Sequence, residues 1–494
     1  MIKDKRTIEI DIAQSQVQDT GLKEGISKQR AYITFAIVSL ALIMSQIDST
    51  IVNVGLPAIT NNLQTNLAYA GWIITGYQFS YCIMMPLVGK LSDEWGRKRI
   101  FLAAVTIFTL SSVACGFAPN IYWLIIFRIL QGIGGGAFMP STTGIVSDIF
   151  IKRRATALGL FTSIFSIGGI IGPNLGGVLI DQFSWRWIFW VNIPIGIALI
   201  LGIILILPKN SATTHSGKRL DMLGAGLFSG AILSIIYAMT NWADHPGGFQ
   251  VLTGVLFAVG MIFLVLFVRH EDKAEQPMID LTLLRTRAFL AANIYNFIYG
   301  GVILGFFAFV PYYAIAAYKM TATESGLLLT PRSIAIIIAS ILTSFFIARL
   351  RYRLPMIIGL VVIATGLILL SRGYHDLNIL GMDFHNLLLL TLIVLITGIG
   401  AGIANPAANN AIIDMVPEKA AAIAGMRGMF RVMGGVMATS SVVLVLSHFQ
   451  DQGLGFQWVS LCFAILLIML IPVVFLVPEM SRARRNRQIN AETE

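Results

Sequence analysis

Long apolar runs separated by short polar segments dominate the chain from residue 32 onward. A helix needs about twenty mostly apolar residues to cross a bilayer. Fourteen runs approach this length, near residues 32–56, 68–88, 100–118, 121–147, 156–180, 185–207, 221–242, 249–268, 288–318, 322–349, 355–372, 386–414, 420–447 and 455–477. The pattern predicts an all-α integral membrane protein with fourteen transmembrane helices.

Composition and charge support a membrane location. Of the 494 residues, 56% are hydrophobic and 12% are charged, a balance that a water-soluble chain of this length does not carry. The net charge of +10 comes from basic residues in short loops between apolar runs, so it does not indicate nucleic-acid binding. With both termini cytosolic, about 28 of the 35 lysines and arginines fall on the inside. We therefore expect a multi-pass protein of the cell (inner) membrane with both termini in the cytosol.

The chain contains an internal repeat. Residues 132–169 align without a gap on residues 398–435, which pairs the fourth and fifth spans with the twelfth and thirteenth. Two related halves with a midplane site between them are typical of a secondary transporter. The predicted domains are a cytosolic tail (1–31), a six-helix bundle (32–207), two inserted helices with cytosolic loops (208–287), a second six-helix bundle (288–477) and a basic cytosolic tail (478–494).

Five short motifs carry a family resemblance. They are DSTIVNVGLP at 48–57, GKLSDEWGRKR at 89–99, FRILQGIGGG at 127–136, GGIIGPNLGG at 168–177 and SWRWIFWVNIPIG at 184–196. In this combination the chain resembles the major facilitator superfamily, and within it the fourteen-span drug:proton antiporters that include EmrB-like and QacA-like exporters. The resemblance implies a major facilitator fold of two six-helix bundles plus two inserted helices. It also implies proton-coupled multidrug efflux by alternating access, and so antibiotic resistance. The expected partners are small amphipathic substrates, protons and the bilayer, with a periplasmic adaptor if the source is a two-membrane bacterium.

The first inside loop matches the loop motif of this family. Gly89, Asp93, Gly96 and Arg97 are expected to form a cytosolic gate, with Asp148 as a partner for Arg97. The alternative is ordinary inside-loop charge. The second-half counterpart, ARLRYRLP at 348–355, lacks the acid, so we expect an asymmetric gate.

Span five carries two stripes of small residues at four-residue spacing. This spacing lets another helix approach closely, and GPNLGG resembles the motif of exporters. The alternative is simple helix packing. The stripes are Gly168, Gly172 and Gly176, and Gly169, Pro173 and Gly177.

Charged residues inside apolar spans are costly and are candidates for function. Asp48 and Arg128 each lie about 12 Å from an outer helix end at 1.5 Å per residue, so a pair or a water-linked relay for proton coupling is feasible. The alternative is a structural ion pair. Arg427 and Arg431 share a helical face and serve coupling or gating, or else snorkel to the cytosol. Arg332 lies deeper on span ten.

The substrate charge follows from the membrane acids. Thr321 and Glu324 have the spacing of a capping box, so we assign Glu324 to a helix start. Asp148 and Asp414 fall at inner ends, which leaves Asp48 as the acid in the outer half of a span. One carboxylate balances one positive charge, so this reasoning predicts a monovalent cationic drug or dye.

An aromatic run on span nine is a candidate for the substrate cavity. Tyr295, Tyr299 and Phe306 could stack on flat apolar ligands. Helical periodicity places about half of such a run against lipid or neighbouring helices instead.

Enzyme and cofactor chemistry have no sequence support. No phosphate-binding loop is present, and the glycines at 132–136 lie inside a span rather than between a strand and a helix. The six histidines lack ligand spacing, so we expect no metal and no cofactor. The alternatives to drug export are an exporter or flippase of an endogenous lipid-like molecule, a proton-coupled importer and a membrane protein without transport activity.

Overall fold

Long helices account for almost all of the structure, a computed structural model that describes residues 26–150, 154–208, 221–245, 247–274, 277–279, 281–379, 382–415 and 420–479. The predicted tails and the basic residues at 152–153 lie largely outside these described ranges. The helices of the first half are α1 (Lys28–Asn62), α2 (Trp72–Trp95), α3 (Arg97–Gly116), α4 (Ile121–Gly136 continuing as Phe138–Ile149), α5 (Arg154–Gln182) and α6 (Trp187–Trp190 continuing as Asn192–Leu205). Then follow α7 (Met222–Asp244) and α8 (Val251–Glu271).

The second half contains the six remaining long helices. They are α9 (Arg287–Gly300, then Gly301–Gly305, Phe306–Phe309 and Val310–Tyr318), α10 (Ala322–Leu327 continuing as Thr330–Leu350), α11 (Arg353–Ser371), α12 (Asn386–Ile413), α13 (Ala420–Ser447) and α14 (Gln452–Met469 continuing as Ile471–Val474). Short helices at Leu67–Ala70 and Leu281–Leu284 precede α2 and α9. Strands β1 (Leu377–Ile379) and β2 (Met382–Phe384) pair antiparallel between α11 and α12.

Twelve of these helices are long and apolar enough to cross a membrane, so this is an all-helical multi-pass membrane protein. The other two long helices are α2, of 24 residues, and α5, of 29 residues. Polar residues such as Thr75, Gln78 and Ser80 lower the mean hydropathy of α2, and Thr75 and Ser80 are buried inside the bundle.

Helix α9 changes its winding at mid-length. Gly301–Gly305 forms a π-helical turn and Phe306–Phe309 a 3₁₀ turn, between two α-helical segments. The glycines allow α9 to lie directly against α13, because a Cβ on Gly301 would come 3.2 Å from the Gly434 carbonyl oxygen. Such turns shift the register of the following residues and are frequent at functional sites.

The two halves meet along two seams that follow the internal repeat. On one seam α5 packs against α10, and on the other α13 packs against α2. Helix α7 contacts α13 and α2, and Trp72 donates a 2.8 Å hydrogen bond to Thr240 of α7. Helix α8 packs on α7 and exposes apolar residues such as Val255 and Ile262, as a lipid-facing helix does. The inserted pair therefore lies beside the second seam.

We name the two ends of the helix bundle after Gly96 and Thr321, which lie at opposite ends. At the Gly96 end, Arg30 at the start of α1 and Lys98 at the start of α3 both donate to carbonyl groups at the end of α6. At the Thr321 end, a capping box between Thr321 and Glu324 starts α10, which confirms that prediction for Glu324.

Candidate functional site

An ion pair lies in the interior of the first half. Arg128 of α4 donates from Nη1 to Asp48 Oδ2 of α1 at 2.7 Å, and the two side chains are 1% and 0% exposed. Arg128 also donates from Nε to the Ile73 carbonyl oxygen at 3.1 Å, and its guanidinium lies 4.1 Å from the centre of the Tyr77 ring. The structure thus brings together the two charges that the sequence left as a pair or a relay.

Two amides complete the surroundings of Asp48. Gln131 Nε2 and Asn192 Nδ2 donate to Asp48 Oδ1 at 2.8 and 2.9 Å, and both amides also reach Ser112 Oγ at 3.1 Å. Gln131 Oε1 in turn accepts from Arg128 at 2.8 Å. Helices α1, α2, α3, α4 and α6 therefore meet around one buried carboxylate. Sequence reasoning missed Gln131 and Asn192, because an amide in a span is recognised as a partner only when its neighbours are known.

This network bears on the predicted substrate charge. Both carboxylate oxygens of Asp48 accept hydrogen bonds, and its charge is matched by Arg128 in direct contact. With no accessible surface, Asp48 is not placed to contact a substrate. The prediction of a monovalent cation relied on a carboxylate free to balance it, and we do not retain it.

The first glycine stripe of α5 faces α1. A Cβ on Gly168 would lie 2.9 Å from the Ile43 carbonyl oxygen, and one on Gly172 would lie 2.9 Å from the Ile47 carbonyl oxygen. A Cβ on Gly176 would lie 2.6 Å from an Ile51 side-chain carbon. This stripe therefore holds α5 against the helix that carries Asp48.

The second stripe includes two residues that face the other half of the molecule. A Cβ on Gly177 would lie 2.6 Å from the Ala322 carbonyl oxygen. A Cβ on Gly326 of α10 would collide with the Pro173 carbonyl oxygen. Gly169 is the exception, since its nearest neighbour would be the side-chain amide of Gln46 at 3.6 Å. The exporter-like motif thus packs on both α1 and α10.

Polar contacts reinforce the α5–α10 seam. Asp181 Oδ2 accepts from the Thr323 backbone N–H at 2.8 Å and from its hydroxyl at 2.6 Å. Asn174 Nδ2 donates to Thr330 Oγ1 at 2.6 Å. These contacts close the seam between the halves at the Thr321 end. The sequence did not indicate Asp181, and it marked Asn174 only as part of the GPNLGG motif.

At the Gly96 end, Arg97 pairs with Asp148. The distance from Arg97 Nε to Asp148 Oδ2 is 3.3 Å, and the two side chains are 30% and 48% exposed. Gly96 joins α2 to α3 with φ of 90°, a conformation that favours glycine. Gly89 has no neighbour within 4 Å of an added Cβ, so packing does not require glycine there. The side chain of Asp93 lies outside the described part of the chain.

The second half repeats this junction with different chemistry. Arg351, which joins α10 to α11, also has a positive φ of 62°. Tyr352 follows it as Arg97 follows Gly96, and the Tyr352 hydroxyl donates to Asp414, the repeat partner of Asp148. Lys98 and Arg353 each cap the end of the last helix of their half, through the Leu207 and Val477 carbonyl groups at 2.8 Å. An ion pair in one half is therefore replaced by a tyrosine–carboxylate hydrogen bond in the other.

We expect the two junctions to respond differently to neutralisation. Asp148→Asn removes one charge of a partly exposed ion pair, so the loss of stability should stay below about 1 kcal/mol. Asp414→Asn keeps an acceptor for Tyr352 and should change transport less than Asp148→Asn does. Initial transport rates and thermal unfolding of the two variants in detergent test this. Equal losses of transport would mean that both junctions act as gates in the same way.

Three arginines cluster in the second half. Arg332 of α10 and Arg427 and Arg431 of α13 all lie near enough to Tyr299 of α9 to act on it electrostatically. The Arg332 guanidinium lies 3.9 Å from the centre of the Phe307 ring, and Arg431 Nη1 donates to Asn405 Oδ1 at 3.2 Å. The sequence paired Arg427 with Arg431 and left Arg332 apart, but the fold brings Arg332 and Arg431 to two aromatic residues of the same helix, Phe307 and Tyr299 of α9.

The candidate cavity aromatics occupy two environments. Tyr295 and Tyr299 are buried, with parallel rings 5.8 Å apart, beside the arginines. Phe306 is fully buried among Phe307, Phe456 and Phe463. Phe306 thus packs against other aromatic rings, and a role in lining a cavity stays a prediction.

Two repeated six-helix bundles, seams between them and charges buried within their helices define a membrane transport protein rather than an enzyme. Among the described residues no cluster of His, Cys, Asp and Glu is arranged to hold a metal ion. The sequence model of the Major Facilitator Superfamily matches residues 38–439 and 294–493. The chain belongs to this superfamily.

Curated relatives include transporters of this superfamily. The chain is 34% identical to Multidrug resistance protein 3 of Bacillus subtilis, over 74% of the chain and 69% of that protein. It is 30% identical to Multidrug transporter protein MdtP of the same organism, over 86% of the chain and 77% of that protein. Among solved structures, a bacterial homologue of the lysosomal transporter Spinster, inward-facing and unoccupied, aligns with a TM-score of 0.63 at 15% identity, over 94% of the chain and 99% of that structure. This last likeness shows the fold.

Proposed function

We propose that the protein is a proton-coupled antiporter that exports small amphipathic molecules, including drugs, as a member of the fourteen-span drug:proton antiporters. The multidrug relatives and the GPNLGG motif support the direction of transport. The buried Asp48–Arg128 pair is the observation that carries proton coupling.

We propose fourteen crossings on the basis of the ends that each helix joins. Helix α1 ends at Asn62, which accepts a 3.0 Å hydrogen bond from Trp185, whereas α3 begins at Arg97, directly after Gly96. Helix α2 must therefore traverse the bundle between them. Helix α5 likewise runs from the end that carries Asp148 to Asp181, which contacts α10. We propose that α2 and α5 are spans, in addition to the twelve apolar ones.

The orientation follows from the basic residues. Lys98 and Arg353 lie at the Gly96 end, where α1 begins and α14 ends. Because basic loops remain cytosolic, we place the Gly96 end and both termini in the cytosol, with the protein in the cell membrane. The Thr321 end then faces outward.

Asp48 is our proposed site of protonation. A proton on Asp48 would neutralise the carboxylate and leave the Arg128 guanidinium without an anion in a buried position. Breaking a buried pair in this way costs about 3–5 kcal/mol. A rearrangement of the helices around Asp48 that relieves the unpaired charge therefore becomes favourable. Helix α1 also packs against α5 through Gly168 and Gly172. A shift of α1 would therefore reach the α5–α10 seam, which closes the outward end.

Transport driven by a pH gradient tests this proposal. We would reconstitute the purified protein in liposomes and follow three aromatic probes: ethidium, N-phenyl-1-naphthylamine and 1-anilinonaphthalene-8-sulfonate. They are a cation, a neutral molecule and an anion. We expect at least one probe to accumulate against its gradient when a pH gradient is imposed, and to stop when nigericin collapses it.

The control and the opposing result are clear-cut. The Asp272→Asn variant alters an exposed carboxylate that pairs with Arg285, so it should transport like the wild type. If none of the probes moves with the pH gradient, while a fluorescent phospholipid changes leaflet in the same liposomes, the protein is a lipid flippase and the antiport proposal is wrong.

A further inference from the structure

The three arginines of the second half form a concentration of positive charge, which we call the arginine cluster (Arg332, Arg427 and Arg431). Arg332 is 9% exposed, and its Nε and Nη2 have no hydrogen-bond partner among the described residues. Arg431 Nε is also unpartnered. No carboxylate of the described residues lies within 4.0 Å of any of the three guanidinium groups.

Arg332 and Arg431 lie well inside the helices that carry them, far from the helix ends. At 1.5 Å per residue, Arg332 is about 15 Å from Ala322 at one end of α10, and Arg431 is about 16 Å from Ala420 at the start of α13. Arg427 is one turn closer to the Gly96 end, within reach of snorkelling. Arg332 and Arg431 are too deep for that explanation.

The cluster also faces the seam between the two halves. Gly428 and Gly435 lie three and four residues from Arg431, on the same face of α13. A Cβ on Gly428 would lie 3.2 Å from Met85 of α2, and one on Gly435 would lie 3.4 Å from Gln78. Arg427 and Arg431 are each partly exposed.

Unpaired charge at this depth is costly. A buried charge without a counter-ion destabilises a protein by several kcal/mol, and here three cations lie together. The rings of Phe307 and Tyr299 offset part of this cost through cation–π contacts, at 3.9 and 5.4 Å from Arg332 and Arg431. They do not supply the hydrogen-bond acceptors that the free N–H groups require. The Tyr295 hydroxyl, fully buried, has no partner either.

We propose that the arginine cluster, with Tyr295, binds the anionic group of an amphipathic organic substrate, either a carboxylate, a sulfonate or a phosphate. Each guanidinium group can donate two parallel N–H hydrogen bonds to the oxygens of such an anion. The nearby aromatic rings can pack against the apolar part of the substrate. This inference rests on the proposed export function and narrows it to organic anions. The cationic alternative has weaker support, because Asp48 is occupied by Arg128 and lies inside the first half.

The test uses two probes with the same aromatic skeleton. 1-Anilinonaphthalene-8-sulfonate carries a sulfonate that N-phenyl-1-naphthylamine lacks. We would measure equilibrium binding of both to the purified full-length protein in phosphatidylcholine nanodiscs. The wild type should bind the sulfonate at least about ten-fold more tightly, which corresponds to about 1.4 kcal/mol. Equal or weaker binding of the sulfonate in the wild type would overturn the proposal without any variant.

Variants of the arginine cluster test whether its charges bind the sulfonate. Arg332→Gln and Arg431→Gln should each weaken sulfonate binding at least about ten-fold, as expected for the loss of a charge-assisted hydrogen bond. Binding of the neutral probe should stay within two-fold, on the order of 0.4 kcal/mol. Arg372→Gln, at an exposed arginine that ends α11, is the matched control and should change neither. Sulfonate selectivity that survives in both cluster variants would contradict the site.

The phosphate of a lipid headgroup is an alternative anionic ligand for the arginine cluster. Nanodiscs that contain phosphatidylglycerol separate the two sources. If the lipid headgroup occupies the cluster, sulfonate binding falls in these discs and lipid extracted with the protein is lost in Arg431→Gln. If a solute is the ligand, sulfonate binding persists and the sulfonate is transported in liposomes of both compositions. Failure of pH-driven transport with sulfonate selectivity intact would refute the proposed function but not the anion site.

Discussion

Replacing Gly172 with leucine is expected to abolish transport. A Cβ at this position overlaps the Thr50 hydroxyl and lies 2.9 Å from the Ile47 carbonyl oxygen, so a longer side chain must push α1 away. Overpacking of a buried contact costs about 1–3 kcal/mol, and occasionally more. Asp48 lies between Ile47 and Thr50, so the displacement reaches the ion pair as well as the packing. Probe transport in liposomes and thermal unfolding in detergent measure the two effects.

Gly169 provides a matched control on the same helix. An added Cβ there meets only the Gln46 amide at 3.6 Å, so Gly169→Leu should keep most of the stability and transport. Equal damage from both substitutions would mean that any bulk in this part of α5 is harmful, and the specific contact with α1 would lose its importance. Normal transport by Gly172→Leu would remove the packing basis of the exporter motif.

The sequence predicted the elements well because hydrophobic length is a strong signal in a membrane protein. Each of the long helices lies where an apolar run was found, and the Thr321–Glu324 capping box was recognisable from three-residue spacing alone. The winding change at Gly301–Gly305 was not recognisable. It depends on how closely α9 approaches Gly434 of α13, and that approach is a tertiary contact.

Site residues were predictable where charge or spacing marked them, and uncharged polar partners were not. The Arg97 and Asp148 side chains do meet, and four-residue spacing marked Gly172 as a contact position. Gln131 and Asn192 lie in two of the five motifs, but the motifs do not show which side chains meet, and the role of these amides depends on the fold bringing them to Asp48. Polar residues of this kind become recognisable only through the network in which they take part.

The structure removes the premise of the substrate-charge prediction, a carboxylate free to balance a cation. Counting acids identified Asp48 but did not count the cations around it, and electrostatic balance depends on both. Arg128 neutralises Asp48 in direct contact, whereas Arg332 and Arg431 have no carboxylate among the described residues. Among the described residues, the unbalanced charge of these helices is therefore positive, and it lies in the second half, where the acid count found only a helix-cap acid and an acid at a helix end.

A double-mutant cycle at Asp48 and Arg128 should separate stability from coupling. Arg128→Gln leaves a buried carboxylate without its cation, and Asp48→Asn leaves a buried guanidinium without its anion, so each should cost about 3–5 kcal/mol of unfolding free energy. The double variant removes both charges and should recover most of that loss. It should still bind the transport probes, yet fail to move them with a pH gradient, because the carboxylate that takes up the proton is gone.

The same substitutions at an exposed ion pair provide the comparison. Arg285 and Asp272 lie 2.6 Å apart with 69% and 48% of their side chains exposed, so their interaction energy should be about 0.2–1 kcal/mol. A similarly small interaction energy at Asp48 and Arg128 would mean that water or a rearranged side chain already compensates the buried charges. Recovery of stability together with pH-driven transport in the double variant would place proton coupling elsewhere in the protein. Recovery of stability without such transport would leave Asp48 as the group whose protonation drives the exchange.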